Sequence, residues 1–254
     1  MNIPLEQISN MPAFAPYYAP PPARYRNVKF QFVDFRADVS AVRRVLPECL
    51  EPAEGGYCVA IGLTVPWSDH YGPFEESVLV VGCRHEGQAG FFAPIAFLNS
   101  TNSIPAGREI YGTPKVSAEV LVSMDGDDME TDTRLGGMSA FCIRSSTDRE
   151  ASEADFPDLS PSWRLKVIPR ADGQGADVCQ LIDGAPAMQE LTVHERRLGE
   201  GEVEFHSGPP YDLSDFTPRE YLGARYLEMD YTEGYGRIVH DFLRPVPGGS
   251  DPGD

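Results

Sequence analysis

From Val28 onward the chain is a succession of short apolar runs broken by glycine, proline and aspartate, with little helical period among them. Val28, Phe30 and Phe32 alternate with Asn27, Lys29 and Gln31, the period-two pattern of a half-buried strand. Apolar runs at Val59–Val65, Val78–Cys83, Phe91–Leu98 and Val116–Met124 predict buried strands. Phe141–Arg144, Trp163–Ile168, Val178–Ile182 and Glu190–Arg196 continue the series. Gly199-Glu200-Gly201 predicts a hairpin, and Asp125-Gly126-Asp127-Asp128 a turn between two strands. Asp38 predicts the cap of a short helix with Val39, Val42, Val45 and Leu46 on one face, stopped by Pro47. Short helices are also expected at Pro218–Leu222 and Tyr235–Leu243. Many strands without alternating helices indicate a mainly β, β-rich α+β fold: an antiparallel, barrel-like single domain with a few short helices.

That domain is expected over residues 26–244. Residues 1–25 hold Pro12, Pro16, Pro20, Pro21 and Pro22 with Phe14, Tyr17 and Tyr18, which excludes regular helix or sheet. They read as an extended arm lying on the body or on a neighbouring subunit. Residues 245–254 read as a disordered tail rich in Gly, Pro and Asp.

A hydrophobic share of 41% supports a packed core and excludes a disordered chain. The net charge of −18 repels phosphate, arguing against nucleic-acid and anionic-membrane partners. No apolar run approaches the ~20 residues of a membrane-spanning helix. Cys49, Cys58, Cys83, Cys142 and Cys179 show no metal-ligand spacing, and their odd number leaves at least one free thiol. With no hydrophobic leader visible, the expectation is a reduced, cytoplasmic setting.

Only three lysines occur: Lys29, Lys115 and Lys166. Unlike arginine, lysine is a nucleophile once neutral, and it forms imines with carbonyl substrates. An ordinary lysine is neutral in about one molecule in 2,500 at pH 7, a deficit that burial is large enough to overcome. Lys115 follows Gly112-Thr113-Pro114, a tight bend leading into a strand-like run, a rigid mount for such a group. Taken alone, the same four residues suit a solvated lysine beside a turn.

The surroundings decide between the two. Gly107-Arg108-Glu109, then a short apolar stretch, then Pro114-Lys115 resembles the signature of the acetoacetate decarboxylase superfamily, whose lysine forms the imine. Pro12-Ala13-Phe14, Phe35-Arg36-Ala37-Asp38, Val45-Leu46-Pro47-Glu48 and Glu76-Ser77 have counterparts in that family. So do Leu165-Lys166-Val167-Ile168-Pro169, Leu181-Ile182 and Thr192-Val193-His194-Glu195. The resemblance runs in order over nearly the whole chain.

It implies Lys115 as the Schiff-base nucleophile and Glu76, at the start of a strand, as the inward-facing catalytic carboxylate. Glu75 and Glu76 face opposite sides of a strand, so at most one meets a cavity. Arg108, read as strand, is a candidate for holding a substrate carboxylate, with Glu109 as structural support. Tyr111, Arg26 and His70 complete the expected substrate-binding residues; His194 reads as structural. Three departures stand out against the family pattern. Its second lysine is Val116 here, and Val28 and Ile61 occupy the positions of an arginine and a glutamate, with Arg26 a nearby substitute for the former.

An iminium is a general electron sink. The resemblance with these departures implies a lyase acting on a small oxo acid, with 2-oxo-acid (pyruvate) aldolase-dehydratase or hydratase chemistry ahead of decarboxylation of acetoacetate or a similar 3-oxo acid. A catalytically inactive oxo-acid-binding protein is the alternative from another class. No cofactor is expected, since the imine does the work of pyridoxal phosphate, and no metal. Relatives of this kind assemble as homo-oligomers, which is the expectation here.

Overall fold

The structure is a computed structural model that describes residues 3–207 and 210–244; the expected tail at 245–254 lies outside them. Its N-terminal half holds β1 (Ala23–Arg36), β2 (Glu51–Pro52), β3 (Tyr57–Val65), β4 (Trp67–Ser68), β5 (Phe74–His85) and β6 (Gln88–Leu98). After the signature segment come β7 (Lys115–Ser117), β8 (Glu119–Asp125), β9 (Asp128–Leu135) and β10 (Met138–Glu150). The remainder holds β11 (Ser162–Pro169), β12 (Ala176–Asp183), β13 (Met188–Phe205), β14 (Glu220–Glu233) and β15 (Arg237–Asp241). All belong to one sheet, ordered β15-β12-β11-β6-β5-β3-β1-β14-β13-β10-β9-β8 along its main path. Neighbours are antiparallel except β6–β7 and β6–β11, which run parallel.

Alternation along β5 divides the interior. Leu79 and Val81 join a large cluster with Phe35, Phe97, Phe141, Ile143 and Trp163. Val78, one residue out of phase, packs with Val28, Leu63, Leu98, Tyr71 and Phe74 in a second cluster. The sheet curls so that β9 meets β5 and β1 across the first cluster. Ser77 and Thr133 hydroxyls lie 2.6 Å apart, and Thr131 donates to Gln31 Oε1 at 2.8 Å. Gln31 in turn donates to the Met129 carbonyl and to Ser145. Every member of this buried polar layer is thereby partnered, as a low-dielectric interior demands. This is the mainly β, barrel-like architecture with few helices that the sequence predicts.

The helix α1 (Val39–Val45) forms where expected, with the Asp38 carboxylate accepting from the Ser40 amide. Its buried residues are Ala41 and Val42; Val39 is exposed. Several local expectations are corrected. Gly199 and Gly201 make no hairpin, because β13 runs unbroken past them between β14 and β10. They serve close approach instead: a Cβ on Gly199 would stand 1.8 Å from the Ser146 carbonyl oxygen. Pro218–Leu222 and Tyr235–Leu243 are not helices. Glu220 already pairs with Arg36 in β14, and Arg237–Asp241 pairs with β12 as β15, so sheet hydrogen bonding outweighs local helical period. The predicted strand at Val116–Met124 is two strands, divided at Ala118, whose amide donates to the Leu98 carbonyl.

Candidate active site

The signature segment is helical, not strand-like. Ser103–Ala106 form a short helix, α2, continued by a wide helical turn at Gly107–Tyr111. Gly112 stops it in the left-handed region (φ 71°), where a Cβ would also press within 2.6 Å of the Lys166 backbone. The chain then bends through Thr113 and Pro114 into β7, with the Lys115 amide donating to the Thr113 carbonyl at 2.7 Å.

Strand register brings Lys115 and Glu76 together. Lys115 lies opposite Ala96 on β6, and Glu76 on β5 lies opposite Leu98, two residues further on. The two side chains therefore emerge on one face, on the two strands that flank β6 and in neighbouring rows two residues apart. Lys115 Nζ donates to Glu76 Oε2 at 3.3 Å and to Ser103 Oγ at 2.9 Å. Both charged side chains are largely shielded from solvent (13% and 10% exposed). The ammonium also sits 5.8 Å from the centre of the Phe74 ring, within cation–π range. Glu75 faces away and accepts from Asn99.

A cavity of about 20 Å³, the space of about one water molecule, touches Lys115. Tyr71, Ser103, Gly107, Tyr111, Thr113 and Glu233 line the rest of it. Glu233, at the end of β14, accepts from the Tyr25 hydroxyl at 2.9 Å. Tyr25, Tyr71, Tyr111 and Tyr231 surround this carboxylate, and burial first, then Glu233, pushes all four phenols above the ordinary tyrosine range. They are hydroxyl donors, not phenolates. Tyr111 spends its proton on the Gly234 carbonyl at 2.8 Å, holding the signature turn to β14. Chemically, the site offers one amine, two carboxylates and a hydroxyl within reach of a single small volume. That is a set for adding an amine to a carbonyl and moving protons around the adduct.

The acetoacetate decarboxylase profile matches residues 10–243. The chain belongs to the acetoacetate decarboxylase family. It is 28% identical over 241 residues to the acetoacetate decarboxylase of Acidiphilium cryptum, covering 92% of this chain and 95% of that one. Acetoacetate decarboxylase 2 of Mesorhizobium japonicum is 27% identical over 241 residues, 92% and 89% of the two chains. Among solved structures, the Legionella pneumophila acetoacetate decarboxylase superposes with a TM-score of 0.83 at 24% identity, over 94% and 96% of the two chains. The enduracididine biosynthesis enzyme MppR, complexed with pyruvate, gives 0.77 at 19% identity, over 92% and 98%. These structural likenesses concern the fold.

Against the family pattern, Val28 is fully buried and Ile61 packs with it in the second apolar cluster, alongside Phe74 and Tyr71 at the lysine. The expected substrate-binding residues scatter. Tyr111 lines the cavity. Arg108 is exposed and donates to the Lys115 carbonyl at 3.2 Å, so it braces the backbone of the lysine. Glu109 accepts from Tyr18 of the arm at 2.5 Å. Arg26 points to Asp230, 3.7 Å away, and donates to the Tyr25 carbonyl. His70 stacks edge-on against Tyr71 with its Nδ1 enclosed and unpartnered, and its carbonyl accepts from Asn102. Sequence reasoning missed Ser103 and Glu233. Ser103 and Gly107 are four residues apart, so reading the segment as helix would have put them on one face. Glu233 has no local signal at all.

Proposed function

We propose that this protein is a Schiff-base-forming lyase acting on a small oxo acid through an imine on Lys115. What supports the reading is the position of Lys115 Nζ between Glu76 Oε2 and Ser103 Oγ, largely hidden from water. Glu76 takes a proton from the ammonium, freeing the amine to attack the substrate carbonyl carbon. The protonated Glu76 gives that proton to the carbonyl oxygen, which becomes a hydroxyl. Glu76 then takes a second proton from the nitrogen and passes it to the hydroxyl, which leaves as water to give the protonated imine.

For the later steps, we favour 2-oxo-acid aldolase-dehydratase or hydratase chemistry over decarboxylation. Loss of CO₂ from an imine asks for little beyond the electron sink. Aldol addition with dehydration must remove a proton from the carbon beside the imine and protonate a departing hydroxyl. Glu76 and Glu233, with Ser103, supply groups for both transfers. Val116 in place of the family's second lysine supports the same ranking. Decarboxylation of acetoacetate is the second reading, favoured by the relatives named as acetoacetate decarboxylases.

Two measurements test this. Incubation with pyruvate or acetoacetate and borohydride is expected to leave a stable mass on Lys115; folded protein that traps no oxo acid would sink the imine. Acetone and CO₂ release from acetoacetate is expected to be slow. Fast release would reverse the order of the two reactions.

A further inference from the structure

Arg164 on β11 stands in line with Lys166 on one face of its strand, and its enclosed Nε has no hydrogen-bond partner. Among the described residues it forms no ion pair either. Asp183 in β12 is near but already used: Oδ1 accepts from the Ser162 and Ala185 amides at 3.1 Å, and Oδ2 from Arg237 at 3.0 Å. The guanidinium lies instead over Gly184, where a Cβ would fall 1.2 Å from Nη1. The guanidinium thus takes up the space that a side chain on residue 184 would fill. Burial lowers the pKa of this guanidinium, while Glu233, Glu76, Asp183 and Tyr111 oppose that, in this order. Gly184 packs in turn on Gly236, where a Cβ would stand 3.6 Å from the Gly184 Cα, three residues beyond the Glu233 that lines the lysine's cavity. The guanidinium therefore lies beside the end of β14, to which the Tyr111 hydroxyl also donates.

Arginine does not shed its charge, and a shielded cation without a partner is costly. The site meanwhile contains two carboxylates, Glu76 and Glu233, that repel an incoming anion. Lys115 cannot offset both, because it supplies at most one positive charge, as the ammonium or as the protonated imine. Arg108 is exposed and occupied with the Lys115 carbonyl, and Arg26 faces Asp230. We infer that Arg164 receives the carboxylate of the oxo acid, making it the residue that selects acids over neutral ketones. This rests on the imine reading of Lys115 and adds to it the residue that recognises the acid group. The planar fork of arginine suits a bidentate grip on a carboxylate.

The test separates binding of the acid group from imine formation. Propionate, a carboxylate with no carbonyl to react, is titrated calorimetrically into the wild-type protein, Arg164→Gln and Arg164→Lys. Acetone with borohydride is used in parallel to trap Lys115 without any acid group. Arg164→Gln is expected to weaken propionate binding by on the order of tenfold or more, the weight of hydrogen bonds to a charged group. Its acetone adduct should fall far less than its pyruvate adduct, and Arg164→Lys should bind propionate at an intermediate strength. If Arg164→Gln does not fold, Arg164→Lys carries the comparison, since it keeps the charge and loses the fork. Propionate binding equal in the wild type and both variants, or absent from the wild type, overturns the assignment. Equal loss of acetone and pyruvate adducts in a folded variant also overturns it, in favour of a structural role. Failure of wild-type Lys115 to trap either carbonyl would defeat the imine reading alone, and the propionate titration would still decide the role of Arg164.

Discussion

The side chain of Lys115 is laid across Gly107: a Cβ on that glycine would stand 2.5 Å from Lys115 Cδ and 2.8 Å from Cε. The first glycine of the signature thus holds open the trough in which the amine lies. Its backbone is ordinary helix (φ −59°, ψ −42°), so conformation alone would accept any residue.

Gly107→Ala therefore separates function from stability. Alanine gains up to about 1 kcal/mol of helix propensity over glycine, offsetting part of the crowding. The contact is relieved most easily by moving the flexible lysine, away from Glu76 and Ser103. Thermal stability is expected to stay within about 1 kcal/mol of wild type, while borohydride trapping on Lys115 falls roughly tenfold or more for a loss of about 1.4 kcal/mol in positioning. Trapping at the wild-type rate would show that the trough does not position the amine.

Glu76→Gln keeps the shape of the partner and removes the proton acceptor. General acid–base groups contribute roughly 10²–10⁴-fold, and a loss of about that size in the rate of imine formation is expected. The comparison that matters is Ser103→Ala, which deletes the other partner of Nζ and should cost less, since a hydroxyl has no charge to exchange. Equal effects of the two changes would argue that both merely orient the lysine.

How much of this was legible beforehand depends on chain distance. Lys115 and Glu76 stood out because each sits in a compact local pattern that one sequence displays. The strands of the barrel were legible from period-two alternation for the same reason. Glu233 carries no such mark: it reaches the site only through the pairing of the end of β14 with β1. The helical reading of Tyr235–Leu243 failed in a related way. Its spacing of apolar residues suits a helix, but β12 offers an unpaired edge, and hydrogen bonding to that edge sets the structure. Arg108 and Glu109 read as strand because the helix carrying them is short and begins in a run of Ser, Thr and Asn that reads as loop.

Buried thiols predict how stability changes in alkali. Burial raises Cys58 and Cys83 to about 12 and Cys142 to about 11, from an ordinary 9.0. Below pH 9 both the folded and unfolded chains keep these protons, so the thiols contribute no slope. Between pH 9 and about 11 the unfolded chain releases them and the folded chain does not, so stability falls as pH rises. The buried tyrosines act in the same sense above pH 10. Urea midpoints are expected to decline beyond pH 9, and less steeply when the three cysteines are replaced by alanine. An unchanged slope in that variant would mean the thiols are not the groups responsible.

Chemistry through an imine needs no further electron sink. Dialysis against a strong chelator is accordingly expected to leave turnover of the preferred oxo acid unchanged. A clear loss, restored by one divalent metal and not by others, would demand a different mechanism.

The arm leaves apolar surface that its own chain does not cover. Asn10 closes the arm on itself, donating to the Tyr18 carbonyl at 2.9 Å and accepting from the Tyr17 amide at 2.7 Å, and Tyr18 is buried against Glu109. Phe14, held between these anchors, is 82% exposed, with Met11 at 80% and Tyr17 at 51%. An aromatic ring displayed on a tied loop loses little entropy when a neighbour covers it, which favours contact between copies of the chain. A homo-oligomer is expected by size exclusion with light scattering, and Phe14→Asp with Tyr17→Asp should shift it towards the 27.9 kDa single chain. Because Tyr18 and Asn10 are untouched, the double variant should keep its fold and its Lys115 adduct. Wild-type protein that stays at the single-chain mass across the micromolar range would refute the assembly, and an unchanged oligomer in the double variant would place the contact elsewhere.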